Sequence, residues 1–114
     1  MTRGAARRRI AKGIVVLVTC PGAPVARRLA ARLVQQRLAA CVSVLPGVTS
    51  LFRWQGAVER ATEVLLVIKT TPGRFEPMRR AILRSHPYDV PEIIALPITA
   101  GHPPYLRWLA ESAS

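Results

Sequence analysis

Two cysteines and two histidines are the side chains of this sequence that could best bind a soft or borderline metal ion such as copper or zinc: Cys20, Cys41, His86 and His102. Their spacing forms no local chelate and no CxxC pair, so it predicts no preformed zinc site. Cys41 begins an apolar run and is interpreted as a small buried residue. Cys20 stands next to a turn, in a more open place, and is interpreted either as a core residue or as a ligand.

The same side chains offer little for catalysis. Either cysteine could pair with either histidine as a nucleophile, but no third residue is indicated that would orient the histidine. Glu59 and Glu63 are four apart in a predicted strand, which separates them by about 13 Å, and they are interpreted as a solvated hairpin edge. No glycine-rich phosphate loop is present. We therefore expect that the protein is not an enzyme.

Positive charge dominates the composition, with 17 Lys and Arg against 6 Asp and Glu and a net charge of +11. Five of these cations lie in the first twelve residues, which we predict to be a disordered basic arm before a domain at 13–114. Most of the remaining arginines fall on the outer sides of two predicted helices, and those of the first, Arg27, Arg28 and Arg32, are interpreted as a solvated face.

We expect no nucleic-acid partner despite this charge. RNA-binding sheets of the RRM type stack bases on aromatic residues, and the apolar strands at 14–18 and 64–68 contain none. The aromatic pair Phe52 and Trp54, near a predicted hairpin tip, is interpreted as an interface anchor. Two cysteines provide no disulfide framework, which favours a reducing cytoplasm, and the apolar run at 14–18 is too short to span a membrane.

Hydrophobic periodicity and turn residues predict seven elements, in the order strand, helix, strand, strand, helix, strand, helix: residues 14–18, 23–37, 41–54, 58–69, 72–86, 93–96 and 105–110. Pro46-Gly47 predicts a bulge, and Gln55-Gly56 predicts a tight turn. This order indicates an α+β fold, a ferredoxin-like βαββαβ sandwich with an added C-terminal helix. With two helices on one sheet face, the other face is expected to be covered by self-association.

Several motifs resemble those of the CutA family of divalent-ion tolerance proteins. They include residues 38–42, the stretch 46–56 with Phe52 and Trp54, the run at 86–92 that starts with His86-Pro87-Tyr88, and residues 101–108. The resemblance spans about residues 14–112. It implies a PII-like homotrimer whose long hairpins pair across subunits, and a role in tolerance of copper and other divalent cations.

The resemblance also implies a copper site formed by a cysteine late in the first strand and the two residues before Pro-Tyr. Here those positions hold Val18, Ser85 and His86. Cys20 is two residues beyond Val18 and on the same side of a strand, about 6 to 7 Å along. We expect weak or conditional metal binding through His86 and Cys20, with no cofactor required. The alternative is a PII-like regulatory module that binds a small ligand or a partner protein in clefts between subunits.

Overall fold

The apolar runs form a four-stranded antiparallel sheet in the computed structural model, which describes residues 13–114. The strands are β1 (Ile14–Cys20), β2 (Cys41–Trp54), β3 (Ala57–Thr70) and β4 (Ile93–Pro97), in the spatial order β2-β3-β1-β4. The helices are α1 (Ala23–Gln35), α2 (Phe75–Ser85) and α3 (Pro103–Ser112), and a 3-10 turn at Pro72–Arg74 precedes α2. The predicted α+β class is confirmed, whereas the predicted arm at 1–12 lies outside the described residues.

The core lies between one face of the sheet and helices α1 and α2. In β1, Val16, Val18 and Cys20 alternate with less buried residues and are fully buried, as expected for one face of a strand. Opposite them in β3 stand Ile68, Leu66 and Val64. The helices contribute the remaining large core residues, Leu29, Leu33, Met78 and Ile82.

The opposite face of the sheet exposes apolar side chains in the single chain. Leu45, Ile94 and Leu96 lie on this face and are 42–49% exposed. Helix α3 packs at one end of the sheet, where Leu109 and Ala113 contact Ala40. No helix of residues 13–114 is long and apolar enough to cross a membrane.

Strands β2 and β3 form a long hairpin with two local irregularities, both of which the sequence predicts. The β2–β3 register shifts between Leu45 and Val48, where Gly47 has a φ of 76°. At the tip Gln55 and Gly56 have φ values of 50° and 84°, the signs that a tight hairpin turn requires. The molecule consequently extends 52 Å along its longest axis.

Several predicted boundaries shift by one to three residues: α2 begins at Phe75 after the 3-10 turn, and α3 runs from Pro103 to Ser112. Two of the shifts have identifiable reasons. Strand β1 continues to Cys20 because Thr19 and Cys20 pair with Leu65 and Val64 of β3. Helix α1 ends at Gln35, two residues early, because Arg37 adopts a left-handed φ of 59°. The amides of Arg37 and Leu38 then bond back to the carbonyls of Val34 and Leu33, which satisfies the last turn of the helix.

Candidate functional site

His86 lies where α2 ends beside the end of β1. Its backbone is extended, with φ −82° and ψ 135°, because the following proline disfavours helical geometry at this position. The backbone N–H of Tyr88 donates to Nδ1 of His86 at 3.1 Å. Nε2 lies 2.8 Å from the carbonyl oxygen of Thr19, so Nε2 carries the proton and donates it. Both ring nitrogens of the neutral imidazole are therefore engaged.

Tyr88 connects this end of β1 to strand β3. Its hydroxyl donates to Oε2 of Glu63 at 2.7 Å, and its ring lies 4.9 Å from the His86 ring, centroid to centroid. Glu63 is only 6% exposed. Burial, the hydrogen bond to Glu63 and the charge of Glu63 together raise the pKa of Tyr88 to about 12. The phenol is therefore held as a neutral donor to a buried carboxylate.

Cys20 is fully buried at the end of β1, so the expectation of an open position is wrong. The cause is the two-residue extension of β1, which turns its side chain into the core beside Val18. Burial, and after it the charge of Glu63, raises the pKa of the Cys20 thiol to about 11. Because metals bind the thiolate, a metal at Cys20 would have to displace a tightly held proton.

The residues around His86 do not form a complete metal site within one chain. Among residues 13–114, no three His, Cys, Asp or Glu side chains come together in a group that could hold one. Val18 is buried in the core and Ser85 is exposed, and Ser85 Oγ donates to the carbonyl of Ala81 at 3.4 Å. In the part of the chain that the structure describes, His86 alone offers an imidazole beside the end of β1, and a metal there would have to replace at least one of its hydrogen bonds.

Two residues of this site were missed from sequence. Glu63 is not part of a solvated hairpin edge, because Tyr88 covers it; Glu59, four residues nearer the hairpin tip, is exposed as expected. The position of Glu63 could have indicated its burial, because it directly precedes the apolar run from Val64 to Ile68. For Tyr88, nothing in the sequence beyond its family motif indicated a role.

The predicted interface residues lie at the tip of the β2–β3 hairpin. Phe52 is 42% exposed and Trp54 is 45% exposed. Nearby Leu51 and Val58 are also exposed, at 70% and 66%. The tip therefore presents large apolar side chains to solvent, and their burial against another subunit stays a prediction.

Comparison with known proteins agrees with the resemblance noted in the sequence motifs. A family model described as CutA1 divalent ion tolerance protein matches residues 14–112. The divalent-cation tolerance protein CutA of Thermus thermophilus is 51% identical over 98 residues, which cover 86% of this chain and 95% of that protein.

Solved structures agree with the sequence match. The divalent cation tolerance protein (Cut A1) from Thermus thermophilus has a TM-score of 0.88 at 49% identity, covering 90% of this chain and 99% of that one. A structure described as the periplasmic divalent cation tolerance protein CutA from Archaeoglobus fulgidus has a TM-score of 0.86 at 35% identity, covering 90% and 99%.

Proposed function

The chain belongs to the CutA1 family of divalent ion tolerance proteins, and from this premise we propose that it acts in tolerance of copper and other divalent cations by binding them weakly and conditionally. The observation that carries the proposal is the family match over residues 14–112. The family names describe no enzymatic activity, and we propose a binding role without catalysis. They also do not favour the alternative role as a PII-like regulatory module.

His86 is the residue to which we assign metal binding. Imidazole is a good ligand for copper and zinc, and Nε2 faces the end of β1 through its bond to Thr19. A metal ion at Nε2 would shift that proton to Nδ1, which frees the Thr19 carbonyl and also breaks the bond from the Tyr88 N–H. Affinity therefore falls by the strength of both lost bonds. Cys20 becomes a second ligand only if the strand end opens, since its thiol is buried and protonated. Binding is conditional for this reason.

Calorimetric titration with Cu²⁺ tests this assignment, and the chain supplies a matched control for each ligand. We expect His86→Ala to abolish the heat of binding, while His102→Ala, at the exposed start of α3, leaves it unchanged. Cys20→Ala is expected to weaken binding and Cys41→Ala to leave it intact. Indistinguishable isotherms for wild type and His86→Ala would contradict the assignment of His86 as a metal ligand.

We further propose that the subunit has the ferredoxin-like topology and assembles as a PII-like homotrimer. Two features support assembly: the exposed apolar sheet face with Ile94 and Leu96, and the projecting hairpin with Phe52 and Trp54. Contiguous apolar surface of this kind marks association sites in soluble proteins. Half-exposed aromatic residues are typical anchors of such interfaces.

We place the protein in the cytoplasm, without a nucleic-acid or membrane partner. Cys20 and Cys41 are both free thiols, which fits a reducing compartment. One relative is described as periplasmic, so the location needs a direct test. Subcellular fractionation of the tagged protein is expected to recover it with cytoplasmic markers, and recovery in the periplasmic fraction would overturn the placement.

A further inference from the structure

A groove between α1 and α2 concentrates positive charge on the helical side of the molecule. It contains about 260 Å³ of empty space that is open to solvent. Its lining consists of four residues of α1 and one of α2: Val25, Arg28, Leu29, Arg32 and Ser85. The α1 residues follow the spacing of a single helix face. Arg28 and Arg32 thus line a concave site, in addition to being solvated as the sequence suggested.

The charge of this groove is not neutralised by the surrounding helices. Arg28 and Arg32 are four residues apart on α1, a spacing at which like charges repel each other. In residues 13–114 the ion pairs connect Glu76 with Arg79 and Arg80, and do not involve Arg28 or Arg32. Helix α1 contains no acidic residue, and residues 1–12 add five cations and no acid to the sequence. An anion bound between the two guanidinium groups would relieve their repulsion.

The shape and chemistry of the groove favour a compact phosphate group. Each guanidinium presents a planar fork of donors that matches two phosphate oxygens, and the exposed Ser85 hydroxyl can turn from its long bond to Ala81 to donate as well. Leu29, only 4% exposed, gives the groove an apolar floor, which weakens solvent screening of the charges. The groove is open to solvent, so it could hold the phosphoryl group without enclosing the whole of a larger ligand.

We propose that this groove binds the phosphoryl group of a small phosphomonoester, with the rest of the ligand in solvent. A nucleic-acid strand fits less well, because its affinity depends on many phosphate contacts along a track. Arg28 and Arg32 are only about 6 Å apart along the helix axis. The groove is on the helical side, opposite the sheet face proposed for trimer contacts, so assembly would leave it accessible.

Calorimetric titration of the full chain at low ionic strength tests the proposal, with phenyl phosphate as the probe and inorganic phosphate as the free-ion comparison. We expect both to bind the wild type. In Arg28→Gln/Arg32→Gln the affinity for phenyl phosphate is expected to fall about tenfold or more, as for the loss of charged hydrogen bonds. The matched control Arg27→Gln/Arg80→Gln removes the same charge outside the groove and is expected to change affinity less than about twofold.

Three outcomes would overturn the site: no binding of either phosphate by wild type, equal losses in the two double variants, or tighter binding of a short single-stranded DNA with the same dependence on Arg28 and Arg32. Amide NMR shifts on adding phenyl phosphate are expected at Val25, Leu29 and Ser85, and shifts confined to other surfaces would also overturn it. Circular dichroism melting curves establish that each variant is folded. Because His86 is unchanged in all of them, Cu²⁺ titration of the same variants keeps this test separate from the metal proposal.

Discussion

The hydroxyl of Tyr88 donates a 2.7 Å hydrogen bond to the carboxylate of Glu63, 25 residues away in sequence. Glu63 is 6% exposed, and a buried carboxylate is costly unless it is hydrogen-bonded. With the bonds of His86 to Thr19 and Tyr88, this contact holds residues 86–88 across the ends of β1 and β3. The segment that carries the proposed metal ligand is therefore fixed by polar bonds on both sides.

Tyr88→Phe is expected to destabilise the protein by about 1–3 kcal/mol, because it removes a donor from a buried carboxylate. Urea unfolding at neutral pH measures the loss. A double-mutant cycle with Glu63→Gln isolates the contact, and we expect a coupling free energy of about 1 kcal/mol or more. Strictly additive effects would show that the bond does not stabilise the fold.

Stability should fall as the pH rises from about 9 to 11. The Cys20 thiol has an ordinary pKa of 9.0 and a folded pKa of about 11, so in this window the unfolded state loses the proton first and unfolding is favoured. The stability contribution is complete below pH 9 and is lost as the pH passes the folded value, by up to about 2–3 kcal/mol. Urea unfolding at several pH values should show a shallower decline in Cys20→Ala.

The control for this pH dependence is Cys41→Ala, which removes the other free thiol. It should retain the wild-type decline between pH 9 and 10. Above pH 10 its decline should be somewhat shallower, because burial and, after it, the neighbouring Cys41 raise the pKa of Tyr105. The raised pKa of Tyr88, about 12, adds a further loss above pH 10 in all variants. An unchanged slope in Cys20→Ala would contradict the assignment.

Arg37 is expected to stabilise the end of α3. Its guanidinium donates to the carbonyl of Glu111 in the last turn at 2.7 Å and to that of Ser114, two residues beyond the helix, at 2.8 Å. A helix end leaves carbonyls such as that of Glu111 without intrahelical partners, and this one also accepts from the Ser114 hydroxyl at 2.8 Å. Arg37→Ala should cost about 1–2 kcal/mol and increase amide exchange in the last turn of α3, measured by hydrogen exchange.

Arg37→Gly separates this effect from backbone strain. The residue has a φ of 59°, where a non-glycine residue costs about 1–2 kcal/mol. The glycine variant loses the same two bonds but relieves the strain, so it should be more stable than the alanine variant by about 1 kcal/mol. The opposite order would show that the φ at residue 37 carries no cost.

Light scattering after size exclusion tests the proposed trimer. We expect a mass about three times the 12.5 kDa of one chain. Ile94→Glu/Leu96→Glu should dissociate it, because charges would replace apolar side chains at the sheet face. Phe52→Ala/Trp54→Ala should weaken it through the loss of interface anchors.

A matched control introduces a charge on the helical side of the molecule, away from the exposed sheet face. Leu83 of α2 is 44% exposed, similar to the two sheet residues, so Leu83→Glu should leave the mass unchanged. A monomeric mass for wild type at micromolar concentration would overturn the trimer. Equal dissociation by Leu83→Glu would show that the interface is not specific to the exposed face of the sheet.

Local signals predicted most of the fold. The alternation in β1 and the continuous apolar run in β3 identify the central strands, and Pro46-Gly47 and Gln55-Gly56 place the bulge and the turn because few residue types adopt those backbone angles. The ends of β1 and α1 were less predictable. They depend on pairing with β3 and on the left-handed conformation of Arg37, neither of which is set by neighbouring residues alone.

The site was predictable only in part. His86 was identified by its motif, but its partner is the backbone carbonyl of Thr19, and every residue type carries such a group. The burial of Glu63 requires Tyr88 to fold over it from another segment, which composition cannot reveal. Cys20 was correctly placed on the same strand face as Val18, yet its burial follows from the packing of the helices on that face.

In the proposed trimer, the projecting β2–β3 hairpin would link assembly to resistance against proteases. From Leu45 to Thr62 every residue is exposed or only half-buried, so this arm of an isolated chain has little core to hold it and should open more readily than the rest of the sheet. Arg53 and Arg60 flank the tip and are trypsin sites. Dilution that separates subunits would expose these bonds to cleavage, and the lifetime of the protein in a cell would then depend on its concentration.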